Sequence, residues 1–538
     1  MQSTMMTGPL LVDQILARAG RVFSGVDVVT RRPDRTLHRY TYGQMRDRAL
    51  QLAEQLLAAG LRKGDRVATL MWNNYAHLEA YYGVPAAGGV LHTLNLRLHP
   101  DELAWIVDHA EDRFLIVDDV LLPLLEQFRD KVDLERVWVV PFSGDAVPEG
   151  HEDYEQLLAN ARGDLVLPEK DEQDACAMCY TSGTTGRPKG VVYSHRSICI
   201  QALAAALPDA INLSAHDTAL PVVPMFHANG WTLPYSAAMV GARQVFPGQH
   251  LDTENLIDLF AREKVTITAG VPAIWLGVLQ ALEAAPEQWD LKGMRVLSGG
   301  SAIPEATIRA FESHGLRVQQ GWGMTETQSL ATLLEPRPET HAAGDDAVFA
   351  NRAKMGMISP FLEARLIDDD GREAPWDGES VGELQVRGPW VTAQYHKVPV
   401  AEDKFADGGA WLRTGDVAAI DPLGYIRLVD RTKDLIKSGG EWISSVDLEN
   451  AIMSHSEVAE AAVIAVPHEL WGHRPLAAVV TRNGKPIDKE ALNAFLADRF
   501  ARWMLPDDYV FIDEIPKTST GKFSKKTLRE QLIDGDDH

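Results

Sequence analysis

Two hydrophobic periods alternate along most of this chain, and that alternation limits the folds open to it. Apolar positions at helical spacing predict helices over 42–59, 76–88, 256–263, 273–281 and 304–314. Short apolar runs predict strands over 66–71, 114–117, 137–140, 218–223, 244–246, 266–269 and 294–297. Such a rhythm implies α/β layers with largely parallel sheets, and in those folds ligands gather at the carboxyl ends of strands. A length of 538 residues exceeds what one core organises, about 250–300 residues, so more than one domain is required. From about residue 356 the texture changes. Strands over 362–367, 382–386, 417–420 and 425–429 are punctuated by Asp368-Asp369-Asp370-Gly371 and Asp421-Pro422-Leu423-Gly424. They predict an antiparallel sheet or small β-barrel-like subdomain closing a large N-terminal part. After a polar junction at 430–434 the chain reads as helix, strand, strand, helix, strand and a basic tail segment. The expected fold class is therefore α/β: a large N-terminal domain of layered sheets over 1–430, and a smaller α+β C-terminal domain over 431–538.

Composition narrows the function. A formal net charge of −24 argues against a nucleic-acid partner, whose phosphates call for a basic surface. Three cysteines form no disulfide framework. Cys176 and Cys179 lie in an apolar run and read as buried packing; no second pair completes a zinc site. Residues 1–11 have no Lys or Arg before their few apolar residues, so they do not read as a signal peptide. No apolar run approaches the roughly 20 residues that span a bilayer. The expected location is the cytoplasm.

Against that background one loop stands out: Tyr180-Thr181-Ser182-Gly183-Thr184-Thr185-Gly186-Arg187-Pro188-Lys189-Gly190. An apolar strand at 175–180 precedes it. A strand feeding a glycine-rich loop brings backbone N–H donors close to a phosphate chain, while hydroxyls add donors and Lys189 adds a point charge. It is not a Walker A loop, because Arg187 and Pro188 separate Gly186 from Lys189. A mobile surface linker is the competing reading, though linkers rarely combine a buried strand, two cations and a proline.

Four further segments are weak singly. Gln320-Gly321-Trp322-Gly323-Met324-Thr325-Glu326-Thr327 offers an indole that could stack on a purine and a carboxylate that could ligate Mg²⁺; a capped helix start would explain it as well. Arg413-Thr414-Gly415-Asp416 offers a carboxylate for a ribose diol, or an ordinary turn aspartate. Residues 430–443 carry charges of both signs into Gly439-Gly440, which suits a hinge or a solvated linker. Pro516-Lys517-Thr518-Ser519-Thr520-Gly521-Lys522 leads into a basic surface helix over 525–530.

Together and in this order, the five segments resemble the core motifs of the adenylate-forming superfamily: acyl-CoA synthetases, peptide-synthetase adenylation domains and luciferases. The resemblance runs from about residue 40 to the end. Val223-Pro224-Met225-Phe226-His227-Ala228-Asn229-Gly230-Trp231 and Lys437-Ser438-Gly439-Gly440-Glu441-Trp442-Ile443-Ser444-Ser445 make it closest to bacterial medium- and long-chain fatty acyl-CoA synthetases.

The resemblance implies two half-reactions. A carboxylate attacks the α-phosphorus of ATP, giving acyl-AMP and pyrophosphate; a mobile small domain rotates; the CoA thiol then takes the acyl group and AMP leaves. It implies Mg²⁺ on Thr181 and Glu326. Thr181, Ser182, Gly183, Thr184, Thr185, Gly186 and Lys189 would hold the triphosphate. Gly300, Gln320, Gly321 and Trp322 would surround adenine, with Thr325 at the α-phosphate and Asp416 and Arg431 at the ribose. Lys522 would enter for adenylation and leave for thioester formation. Lys433 would sit at the hinge, and Lys437 and Trp442 would meet the adenylate in the closed form. His227 would line the carbonyl end of the acyl site, with a satisfied core histidine as the competing reading; Ala228 and Gly323 would line the site, and Trp231 would gate the acyl channel or equally be a core tryptophan after the Asn229-Gly230 turn. Where the family often has tyrosine, Trp322 keeps the stacking but loses a phenolic hydrogen bond. The resemblance also implies a homodimer. It leaves open a short-chain or aryl acid as substrate, or a carrier protein as acceptor.

Overall fold

Two seven-stranded sheets, each parallel except at one edge, carry the large domain. The computed structural model describes residues 1–181, 187–333, 335–400, 403–438, 441–518 and 523–533. The first sheet runs Glu152–Asp153, Arg136–Val140, Asp112–Asp118, Arg66–Leu70, Val90–Thr93, Ala175–Tyr180 and Gly190–Ser194. Only its last pair is antiparallel, with Tyr180 opposite Gly190. The second sheet runs Arg317–Gln320, Arg295–Ser298, Ile267–Gly270, Thr218–Pro221, Arg243–Phe246, Asp27–Arg31 and Leu37–Thr41, again parallel but for the last pair.

The expected alternation is present, with boundaries shifted by a few residues. The helix expected over 42–59 spans Tyr42–Ala58. Thr41 caps it by accepting from the Gln44 N–H, and Gly60, at φ +88°, lets the chain leave in the left-handed region. The helix expected over 76–88 spans Tyr75–Ala86 and is buried on every side. It has no polar face because it packs between the sheets; Tyr81 donates to the Met225 carbonyl and Tyr82 to that of Pro234 at 3.0 Å. Val90–Thr93, Gly190–Ser194 and the Asp27–Arg31/Leu37–Thr41 hairpin were not evident in the sequence. The first follows an apolar helix with only two glycines to mark the change, and the others lie at edges with mixed patterns. Cys176, Cys179 and Cys199 are buried thiols.

Beyond residue 356 the antiparallel expectation holds. Glu363–Ile367, Gly382–Arg387, Trp411–Ile420 and Phe405–Ala406 lie side by side, and Ile426–Arg431 branches off Trp411–Ile420. The C-terminal sheet runs Glu441–Ile443, Ile436–Ser438, Gly472–Thr481 and Val458–His468, with Asp508–Phe511 parallel to Gly472–Thr481. The short hairpin of Ile436–Ser438 and Glu441–Ile443 precedes the first helix of this part, a pair of strands the sequence pattern did not reveal. The apolar clusters around this sheet draw only on residues from 436 onward. The helix Lys525–Leu532 keeps part of the basic surface character expected, with the Lys526 side chain 70% exposed, but not at its start. Its first residue turns inward, with Lys525 Nζ 2.8 Å from Glu449 and 3.8 Å from Asp430. Among the described residues no helix is long and apolar enough to cross a membrane.

Candidate active site

The glycine-rich loop leaves the carboxyl end of Ala175–Tyr180 and returns in Gly190–Ser194, so it is the connection of a hairpin. Its neck is fixed by two bonds: Thr181 N–H donates to the Lys189 carbonyl at 2.9 Å, and Lys189 N–H donates to Thr181 Oγ1 at 3.0 Å. Ser182, Gly183, Thr184, Thr185 and Gly186 lie outside the described residues, as does Lys522. Arg187 lies over the Trp105 ring at 5.4 Å, and Lys189 Nζ over the Tyr395 ring at 4.9 Å.

Tyr395 ties the loop to the second segment. Its hydroxyl donates to Glu326 Oε1 at 2.5 Å. Glu326 is 6% exposed and sits in the short turn Thr325–Thr327. Burial first, and the Glu326 carboxylate next, hold the Tyr395 phenol far above its usual range, so it remains a donor. The turn is held from outside: Tyr193 donates to the Thr325 carbonyl at 2.7 Å, and Thr392 N–H to that of Glu326 at 2.8 Å. Neither Thr325 nor Thr327 is the cap residue: Met324 holds that position, and its N–H donates to Thr327 Oγ1 at 2.9 Å.

Trp322 joins the third segment to the second. Its indole Nε1–H donates to Asp416 Oδ2 at 2.8 Å, and both residues are buried. The donor expected to vanish with the family's tyrosine is thus present in another form, aimed at Asp416. Asp416 is not in a turn. It lies within Trp411–Ile420, directly across from Arg431, whose Nε is 3.2 Å from Asp416 Oδ1. Gly415, at φ +75°, is the kink that permits this, and its carbonyl accepts from the Thr432 N–H at 2.9 Å.

Gln320 spends its side chain on structure. Its amide accepts from Ile303 N–H at 2.6 Å and donates to the Ile303, Arg352 and Ala353 carbonyls, so only its backbone is left for a ligand. Gly321 N–H donates to the Ser298 carbonyl. Gly300 is exposed at φ +92°. At Gly323 an added Cβ would lie 1.3 Å from the Ser329 carbonyl oxygen, so no side chain fits there.

The acyl-side candidates form a separate group. Ala228, Asn229, Trp231 and Thr232 all have positive φ, a strained run of the kind that gathers at functional sites. The Trp231 ring lies against Gly299, where a Cβ would stand 2.9 Å from Cη2. It packs on the apolar cluster that contains Val223, Leu233, Ala269 and Leu297. His227 lines a small enclosed space with His92, Tyr180, Thr181 and Phe226, about 10 Å³, room for about one water.

The structure thus brings Thr181, Lys189, Trp322, Thr325, Glu326, Asp416 and Arg431 into one connected set. It does not bring in Lys437, Trp442 or Lys433. Lys437 Nζ lies 3.0 Å from Asp369 Oδ2 and 4.5 Å from the Trp442 ring, and Lys433 is exposed. Tyr395 and Tyr193 belong to the set and escaped the sequence reading, because nothing in their local sequence distinguishes them from core tyrosines. The set can do what nucleotide chemistry needs: offer hard oxygens and cations to phosphates, a buried carboxylate to a diol, and a flat ring to a base.

A model of AMP-binding enzymes matches residues 21–396, and one of the AMP-binding enzyme C-terminal domain matches 447–522. The chain is 47% identical over 530 residues to a long-chain-fatty-acid–CoA ligase of Thermus thermophilus, covering 98% of this chain and 97% of that one. It is 41% identical to a medium-chain-fatty-acid–CoA ligase of Ectopseudomonas oleovorans, covering 99% and 98%. Its fold matches the crystal structure of the anthranilate CoA ligase AuaEII in complex with anthranoyl-AMP, with a TM-score of 0.88, 26% identity and full coverage of both chains. The chain therefore belongs to the AMP-binding enzymes, and is an ATP-dependent, AMP-forming acid–thiol ligase that makes acyl-CoA.

Proposed function

We propose that this enzyme activates a medium- or long-chain fatty acid. The observation that carries the site assignment is the pair of buried bonds Tyr395–Glu326 and Trp322–Asp416, which join three sequence-distant segments. In this reading Asp416, held by Trp322 and Arg431, receives the ribose diol. Lys189 and the loop before it receive the phosphates, and Thr325 faces the α-phosphate. Lys522 supplies a cation for adenylation, offsetting the repulsion between an anionic acid and anionic ATP.

Mg²⁺ fits the donor set. Thr181 offers a hydroxyl and Glu326 a buried carboxylate, and Mg²⁺ usually takes one or two carboxylates and completes its shell with substrate phosphates and water. When bound it would neutralise phosphate charge; the protein's part is to keep Glu326 oriented through Tyr395.

The acyl chain would enter past Trp231, whose ring rests against Gly299 and an apolar cluster. The identity to the fatty-acid ligases supports an aliphatic substrate. Residues 1–430 would act as one domain and 431–538 as a second that rotates about Asp430–Lys433, a reading supported by the separate apolar clusters after residue 436. A cytoplasmic homodimer completes the proposal. The test is pyrophosphate release across acids from C2 to C18, with aryl and sulfur-containing acids included, with and without CoA, with the thioester identified by mass spectrometry. Preference for C6 to C18 acids supports the reading. Turnover confined to short or aryl acids overturns the substrate class, and transfer only to a carrier protein overturns the acceptor.

A further inference from the structure

The site holds a cation that neither the motifs nor the proposed roles use. Lys404 precedes the short strand Phe405–Ala406, and its carbonyl accepts from Arg413 N–H at 2.9 Å, which extends the pairing with Trp411–Ile420. Its Nζ lies 3.5 Å from the carbonyl of Thr414, two residues before Asp416 on the neighbouring strand. Phe405, the next residue, meets Tyr395 edge-on at 5.9 Å, so Lys404 stands beside the support of Glu326.

The neighbouring cations are already engaged. Arg431 is paired with Asp416, and Arg413 with Glu383 at 2.8 Å. Among the described residues no carboxylate lies within 4 Å of Lys404 Nζ; it lies instead in the joint field of Glu326, Asp416, Lys189 and Arg431. Burial holds its ammonium below the ordinary lysine value, the condition of a cation that has given up water without gaining a contact anion.

A nucleotide whose ribose rests on Asp416 and whose outer phosphates rest near Glu326 and Lys189 must carry its α-phosphorus between them. We infer that Lys404 is a resident ligand of the α-phosphate, contacting it as ATP, as acyl-AMP and as departing AMP. The inference rests on the nucleotide placement proposed above. It also gives the large domain a cation of its own in the step for which Lys522 has left. In that step the CoA sulfur bonds to the acyl carbon and the bond from that carbon to the phosphate oxygen breaks. The electron pair stays on AMP, the thiol proton passes to solvent, and the phosphate gains a negative charge that Lys404 would meet.

The test compares AMP with adenosine, which lacks the phosphate, by calorimetry on wild type, Lys404→Met, Lys404→Gln and Lys404→Arg, with thermal unfolding of each. AMP affinity should fall roughly 10- to 100-fold in the Met and Gln variants, the size of one hydrogen bond to a charged group, while adenosine affinity changes by less than about threefold. Arg should recover most of the loss. Both half-reactions, adenylate formation and thioester formation from supplied acyl-AMP, should slow together. Equal losses for AMP and adenosine would mean that Lys404 only supports Asp416, and would overturn the inference, as would unchanged AMP binding or a defect confined to adenylate formation. If Met fails to fold, the Gln variant decides on the same ratio. Failure of wild type to form any acyl-AMP would sink the proposed function instead, and the two binding measurements would still be readable.

Discussion

Replacing Trp322 with phenylalanine should weaken recognition of the ribose more than that of the base. The indole N–H donates to Asp416 at 2.8 Å, and Arg431 is ion-paired with the same carboxylate at 3.2 Å. Phenylalanine keeps a stacking face but removes the donor. A hydrogen bond to a charged group contributes about 1.5–3 kcal/mol, and its loss leaves Arg431 free to draw the carboxylate toward itself. If that misorientation costs one ribose hydrogen bond of the same size, AMP affinity falls roughly 10- to 150-fold. The smaller ring also leaves a void, worth about 1 kcal/mol of stability at the usual cost per unit cavity volume. Isothermal titration with AMP and with 2′,3′-dideoxy-AMP separates these terms. The void and any lost stacking act on both ligands, whereas loss of the diol contact acts on AMP alone. The wild type should prefer AMP strongly and the variant only weakly. If both ligands lose affinity by the same factor, Trp322 acts as a wall and not as the orienter of Asp416, and the reasoning is refuted.

Lys522→Ala should slow adenylation by roughly 10²–10³ while sparing thioester formation from preformed acyl-AMP; equal loss in the two assays contradicts the assigned role. Glu326→Gln should move the Mg²⁺ titration of pyrophosphate release to higher concentration, and an unmoved midpoint counts against Glu326 as a ligand. Trp231→Ala should change the acyl-length profile more than the KM for ATP; an unaltered profile removes the gate. Acid should destabilise the fold partly through His77, which is buried with Nε2 3.0 Å from Thr69 Oγ1 and Nδ1 3.1 Å from the Trp72 carbonyl. Burial pushes it from 6.5 down to about 4, so the unfolded chain takes up the proton first. Its contribution is present above pH 6.5 and lost as pH falls toward 4, up to about 3 kcal/mol. His77→Gln should therefore flatten the decline of Tm between those limits, and an identical slope in both proteins contradicts this account.

What could be read in advance depended on the distance over which the information lies. The loop at 180–190 is legible because its glycines, hydroxyls and cations are adjacent, and the preceding strand is an uninterrupted apolar run. Asp416 could be singled out from its segment, but its setting came out differently: a strand position with a left-handed Gly415 looks like a turn when only nearest neighbours are visible. The Tyr395–Glu326 contact spans 69 residues and Trp322–Asp416 spans 94, and neither leaves a periodic or compositional trace. Lys404 was invisible for the same reason, since a lysine near an acidic stretch is ordinarily a solvated one.

By itself the order of residues settled the class of the fold, the place of the glycine-rich loop at a strand end, and the family to which five short segments point. These follow from local spacing, because helical and extended backbones impose periods of 3.6 and 2 on whatever must be buried. Tertiary structure alone decided which side chains are spent on the backbone around them, as Gln320's is, and which meet another candidate site residue, as the Trp322 indole meets Asp416. That choice is made by burial and by hydrogen-bond partners contributed from distant strands, and a buried polar group takes whichever partner packing brings within reach.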